Sequence, residues 1–156
     1  MKIGERLKKF RTAKGLVQKQ LGIMSGLSEP AIRNYELGNR YPNAIQLEKI
    51  AGALGISPLA IAAPDFDSYV GLMHSLFQLE DLYGLKPRNI DGRIFLEFDV
   101  EPTSAVLSNV GYWNKELESL KNGAISQEEY DEWRYSFPRL EAERTTEKLR
   151  NKRKGR

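Results

Sequence analysis

The chain has 156 residues, 40% of them hydrophobic and 29% charged, with no cysteine and a single histidine. That length holds one ordinary domain or two small ones, the composition is that of a soluble globular protein, and disulfides, thiolate zinc sites and thiol nucleophiles are excluded. The net charge of +3 hides an uneven distribution: residues 1–63 hold 10 Lys+Arg against 4 Asp+Glu, residues 64–140 hold 7 against 14, and residues 141–156 hold 7 against 3.

A basic head followed by an acidic body suggests that the head meets a polyanion and the body does not. No apolar run approaches the roughly 20 residues needed to span a bilayer. The first residues, Met1-Lys2-Ile3-Gly4-Glu5-Arg6, lack the apolar core of a secretory signal. A cytoplasmic protein without membrane contact is therefore expected.

In chain order, Ile3, Leu7 and Phe10 fall at i, i+4 and i+7 and predict a first helix over residues 2–13, closed by Gly15. A second helix begins at Val17 or Gln18. Valine offers no oxygen to cap it, a loss of about 1 kcal/mol relative to serine or threonine, and Gln18 is the side chain expected to compensate. Gly26 turns the chain, since glycine reaches positive φ without strain. Ser28 then caps a third helix, with Pro30 in its first turn, where a missing N–H costs little. Leu21, Met24, Ile32 and Tyr35 are expected to meet in one core, leaving Glu29, Arg33 and Asn34 outward. Two short helices joined by a tight turn form a helix-turn-helix, whose second helix is presented to the DNA major groove.

Asn43 with Gln46 three residues later has the spacing of a capping box and opens a fourth helix. Its predicted buried face is Ile45, Leu47, Ile50, Ala51 and Leu54, and Gly55 closes it. Ser57-Pro58 starts a short fifth helix that Pro64 stops.

In the body, Asp65 and Asp67 are placed to cap a sixth helix running to Gly84. It is apolar over more than a narrow stripe, so it must bury most of its circumference in a core, a dimer seam, or both. Asp91-Gly92 between two strand-like runs is a strong hairpin signal. Ile94, Leu96 and Phe98 make one apolar face, and Pro87 marks the first strand as an edge or irregular. A lone hairpin is marginal, so the flanking helices are expected to cover it. A seventh helix opens at Thr103 or Ser104, and an eighth at the capping box Ser126-Gln-Glu-Glu129, carrying Tyr130, Trp133 and Phe137. From Arg139 onward the tail is highly charged and is expected to be frayed helix or disorder. Its basic end, Lys152 to Arg156, is read first as solubilising and only second as a phosphate contact.

The predicted architecture is mainly α. A five-helix head occupies residues 1–63, a small α+β body with one β-hairpin occupies 65–138, and a charged tail occupies 139–156. No catalytic constellation, phosphate loop or metal cluster emerges. His74, the lone histidine, is read as packed or at a seam, and Glu128, Glu129, Asp131 and Glu132 as a solvated helix face. No enzymatic activity, cofactor or metal is expected.

Residues 3–61 resemble the XRE-type, lambda-repressor-like helix-turn-helix family. The resemblance is carried by Gly4, Arg11, Gly15, Gln18, Leu21, Gly26, Ser28, Ile32, Tyr35, Glu36, Gly38 and Pro42, and then by Leu47, Ile50, Ala51, Leu54 and Gly55. Gly22 and Val17 depart from it, where the family commonly has Ala and Ser or Thr. Glycine inside a helix costs about 1 kcal/mol relative to alanine, but it also permits close approach.

The resemblance implies a five-helix lambda-repressor-like domain that binds double-stranded DNA. Base contacts would come from Ser28, Glu29, Pro30, Arg33 and Asn34. Backbone contacts would come from Gln18, Lys19, Asn39, Arg40 and Tyr41. Arg33 can fork onto guanine and Asn34 can bracket adenine. The resemblance also implies an internal Arg11–Glu36 pair. The function expected is a sequence-specific transcriptional regulator, a repressor acting as a homodimer. The alternative is an antitoxin-like protein whose body binds a protein partner and whose DNA binding is only autoregulatory.

Overall fold

The computed structural model describes residues 2–62, 66, 68–101 and 103–154. Nine helices and one two-stranded sheet are formed among them, in the order α1 (Ile3–Ala13), α2 (Gln18–Ser25), α3 (Glu29–Glu36), α4 (Ala44–Leu54), α5 (Pro58–Ala62), α6 (Tyr69–Tyr83), β1 (Leu85–Ile90), β2 (Arg93–Phe98), α7 (Ala105–Lys121), α8 (Gln127–Ser136) and α9 (Arg139–Lys154). The mainly helical fold with one hairpin is the one the sequence predicts. No helix among the described residues is long and apolar enough to cross a membrane.

The chain divides into two compact units. One comprises Met1–Pro64 with Asp131–Arg156, the other Asp65–Tyr130. The end of α8 packs with the head. The Tyr135 ring meets Phe10 edge-on at 4.7 Å between centroids, and the Tyr135 carbonyl accepts the Ser57 N–H at 2.8 Å. The tail forms a helix, α9, to Lys154.

The core of the head is Leu7, Phe10, Leu21, Ile32, Tyr35, Ile50, Ala51, Leu54 and Ile61. Helices α1, α2 and α4 end alike. A glycine (Gly15, Gly26 or Gly55) takes positive φ, and the next N–H bonds back to Arg11, Gly22 or Ala51 respectively, the pattern that satisfies orphan carbonyls at a helix end. Asn43 and Gln46 close a reciprocal capping box on α4. Two core expectations fail. Met24 is 55% exposed and Ile45 69% exposed, because one neighbouring layer covers α2 and α4 only along the Leu21 and Ile50–Leu54 lines. Val17 is rescued by Gln20, not Gln18: the Gln20 side-chain oxygen accepts the Val17 N–H at 2.9 Å.

In the second unit, Ser68 caps α6 by accepting the Gly71 N–H at 3.0 Å. The expected caps Asp65 and Asp67 lie outside the described residues, as do Pro64 and the end of the tail at Gly155 and Arg156, and the side chains of residues 152–154 are likewise not described. β1 and β2 pair antiparallel from Leu85↔Phe98 to Ile90↔Arg93, around Asp91 and Gly92, both at positive φ. This is the type I′ geometry that the right-handed twist of a hairpin favours.

Cover for the hairpin is incomplete. Leu85 is buried, but Ile94 is 66% and Leu96 55% exposed, and α6 has no buried residue. The predicted capping box of α8 is present, with Ser126 and Glu129 exchanging both bonds. Trp113 donates to the Tyr130 hydroxyl at 2.7 Å. The buried residue of α7 is Glu116 rather than a member of its apolar stripe.

Candidate nucleic-acid interface

The presentation of α3 begins with its first turn. The Ser28 hydroxyl accepts the Ala31 N–H at 3.3 Å, and Pro30 occupies a first-turn position that needs no N–H. Burial of Ile32 and Tyr35 fixes the inward face. Ser28, Glu29, Pro30 and Arg33 are consequently exposed, and Asn34 is half-buried. Arg33 makes no ion pair with any described residue, so its guanidinium fork is available. Two glycines permit close backbone approaches, Gly22 of α2 to the chain entering α3 and Gly4 of α1 to the end of α3. A Cβ on Gly22 would lie 2.8 Å from the Leu27 carbonyl oxygen, and one on Gly4 would lie 2.4 Å from that of Tyr35. The departure at Gly22 therefore lets α2 come close to the chain entering α3.

Behind this surface lies a buried network. The Arg11 guanidinium forks onto Glu36, with Nη2 to Oε2 at 2.9 Å, and Nη1 donates to the Leu16 carbonyl at 2.6 Å. The two side chains are only 9% and 3% exposed. The hydrogen bond to Glu36 raises the Arg11 pKa above its ordinary value, against the burial that lowers it. The Arg11–Glu36 pair implied by the resemblance is present, and it locks α1 to α3. Gln18 joins it, its Nε2 donating to Glu36 Oε2 at 2.7 Å. Sequence reasoning missed this third member. One of the two Gln18 amide protons is so used, leaving the other proton and the oxygen for an outside partner.

Lys19 is exposed in the first turn of α2, where backbone N–H groups lack intrahelical partners and favour anions. Beyond α3, the Asn39 and Arg40 N–H groups both donate to the Asn34 carbonyl, at 3.0 and 3.3 Å, and Asn39 Nδ2 reaches Asn34 Oδ1 at 3.4 Å. The loop is thereby pinned to the end of α3, and Asn39, Arg40 and Tyr41 are exposed beside it. Ser28, Glu29, Pro30, Arg33 and Asn34 lie on α3 and its cap, Gln18 and Lys19 open α2, and Asn39, Arg40 and Tyr41 extend from the end of α3. Lys9 is directed elsewhere, its Nζ 5.5 Å from the Tyr135 ring centre. His74 is exposed, its ring edge-on to Phe77 at 6.0 Å.

A helix-turn-helix family model matches residues 7–61. The HTH-type transcriptional regulator y4dJ of Sinorhizobium fredii (strain NBRC 101917 / NGR234), itself uncharacterized, is 32% identical over 69 residues, which is 44% of this chain and 90% of that protein. The chain belongs to the helix-turn-helix family of transcriptional regulators, of the XRE type. Among solved structures, the restriction-modification controller protein C.AhdI of Aeromonas hydrophila is 39% identical, covering 38% of this regulator and 89% of that chain, with a TM-score of 0.37. The P22 c2 repressor, solved with a synthetic operator, is 32% identical over 42% of this regulator and 98% of that chain, with a TM-score of 0.40. The family model spans α1 from Leu7 through α5 to Ile61, and so includes the whole of this regulator's helix-turn-helix.

Proposed function

We propose that this regulator is a sequence-specific repressor that binds double-stranded DNA in the cytoplasm as a homodimer, with no catalytic activity of its own. The observation that carries the reading is the outward face of α3. Ser28, Glu29, Pro30 and Arg33 stand exposed on a helix whose opposite face is fixed by Ile32 and Tyr35 and whose end is tied to α1 by Arg11 and Glu36. Arg33 and Asn34 read base edges, and Gln18, Lys19, Asn39, Arg40 and Tyr41 hold phosphates.

One head offers few base contacts. Two heads on a pseudo-palindrome, about 34 Å apart, supply enough for a specific site. What supports the dimer in the second unit is α6, which carries Tyr69, Val70, Leu72, Met73, Phe77 and Leu82 exposed, apolar surface of the kind that marks interaction sites.

A mobility-shift titration against the DNA upstream of the chain's own gene tests the reading, with a salt series alongside. A specific shift that weakens steeply with salt is expected. Arg40→Ala should weaken all sequences alike and lower the salt slope by about 1 per protomer, about 2 for the dimer. An unchanged slope would remove Arg40 from the phosphate contacts, and no specific shift at any site would count against the reading as a whole.

A further inference from the structure

Among the described residues, the sheet has two strands, so the outer edge of β2 has no strand paired to it. Every residue of β2 except Phe98 is exposed. Open, flat, apolar edges template further pairing, and proteins normally blunt them with proline, charge or cover. β1 is blunted in this way. The two-residue type I′ turn makes Ile90–Arg93 the closing hydrogen-bonded pair, so pairs alternate down the ladder and Pro87↔Leu96 is a non-hydrogen-bonded one. The N–H that Pro87 lacks would therefore have faced the outer edge of β1. The same alternation turns the N–H and C=O groups of Ile94, Leu96 and Phe98 outward on β2, and no proline interrupts them.

We propose that this edge pairs antiparallel with the β2 edge of a second copy, making one continuous four-stranded sheet with Phe95 on the two-fold axis. The occupant is specified by self-complementarity. With Phe95 opposite Phe95 of the second copy, Ile94 stands opposite Leu96 of the second copy, both with outward backbone groups, and they form hydrogen-bonded pairs on either side of the axis. Arg93 stands opposite Glu97 of the second copy, and Glu97 opposite its Arg93. The register thus places opposite charges together twice and like charges nowhere, and cross-strand pairs of both kinds stabilise a sheet. The side chains also fall on matching faces, since residues opposite each other in a ladder share a face.

Although the body as a whole is acidic, residues 85–99 hold three Lys+Arg and three Asp+Glu, so two hairpins approach without net repulsion. Ile94 and Leu96, bare in one copy, become neighbours of the second copy's Leu96 and Ile94. This seam rests on the dimeric reading above and says where that dimer is joined.

The absence of native cysteine makes the test direct. In the full chain, Phe95→Cys places two thiols in a non-hydrogen-bonded pair with Cα atoms about 4.5 Å apart, inside disulfide range. Mild oxidation should double the mass of 17.8 kDa on a non-reducing gel. Ile90→Cys, on the same face but on β1, should not cross-link.

Charge variants give a second readout by light scattering. Arg93→Glu and Glu97→Arg should each run as monomers, and an equimolar mixture of the two should recover the doubled mass, since both inter-copy pairs are then attractive. If the wild type is a dimer but Phe95→Cys fails to cross-link and both charge variants stay dimeric, the seam is wrong and the dimeric reading stands. A wild type that is monomeric at micromolar concentration overturns both.

Discussion

Replacing Glu36 with alanine is expected to cost the head about 3–5 kcal/mol, because it leaves Arg11 buried without its partner. Glu36 is only 3% exposed and accepts from both Arg11 and Gln18, so no water can substitute fully for it. Folded domains are stable by roughly 5–15 kcal/mol. The loss is therefore a large share of the total, and at roughly 4–8 °C per kcal/mol for a small domain the melting temperature should fall by more than about 12 °C. Urea unfolding followed by circular dichroism measures it. Arg11→Met together with Glu36→Leu should recover much of the stability, since the cost lies in the orphaned charge and not in the absence of a salt bridge. A single Glu36→Ala loss below about 1 kcal/mol would mean that the pair is a surface ornament rather than the tie between α1 and α3.

Arg33→Ala is expected to have the largest effect on recognition that leaves the fold intact. Arg33 is exposed and contributes nothing to the core, so its removal should leave the melting curve within about 0.5 kcal/mol of wild type. A bidentate arginine–guanine contact is worth about 1–3 kcal/mol of discrimination. A dimer makes it twice, so operator affinity should fall by about 2–6 kcal/mol, and the preference at one base pair per half-site should relax. Binding to random DNA should fall much less, which separates Arg33 from Arg40. The check is a competition mobility shift with operator and random duplex. Retention of wild-type discrimination would move the reading face away from the exposed side of α3.

The head was legible because its determinants are local. Ser28 with Pro30, Asn43 with Gln46, and the glycines at 15, 26 and 55 signal helix ends within a few residues, and the structure uses each as spacing predicts. Asp91-Gly92 announced the hairpin for the same reason. The sequence misled where burial depends on how many neighbours a helix has. Met24 and Ile45 sit on apolar stripes wider than the single layer that covers them, and both stay exposed.

Gln20 was missed as the cap of α2 although it stands three residues after Val17, the spacing recognised at Asn43 and Gln46. The first residue of the pair was valine, and only half the box could form. Tyr135 was invisible for a different reason: its contacts with Phe10 and Ser57 join segments far apart in the chain, and no local pattern encodes them. Around α3, the sequence indicated that Glu29 and Arg33 face outward, but not that Asn34 is half-buried or that Gln18 is oriented by Glu36, since that bond exists only once α2 and α3 are packed.

In the body the hairpin could be placed but not its environment. Alternation along residues 93–98 shows one apolar face and cannot say what lies against it. The exposure of Ile94 and Leu96 in the folded chain turns that silence into a specific expectation about a second copy.

The central claim, that the exposed face of α3 reads a defined DNA sequence in pairs, is tested most directly by genome-wide footprinting with the intact chain. The predicted result is a small set of protected pseudo-palindromes whose half-sites lie one turn of DNA apart, about 34 Å, each losing its protection with Arg33→Ala. Protection spread evenly over the genome, or sites that persist unchanged in that variant, would contradict it.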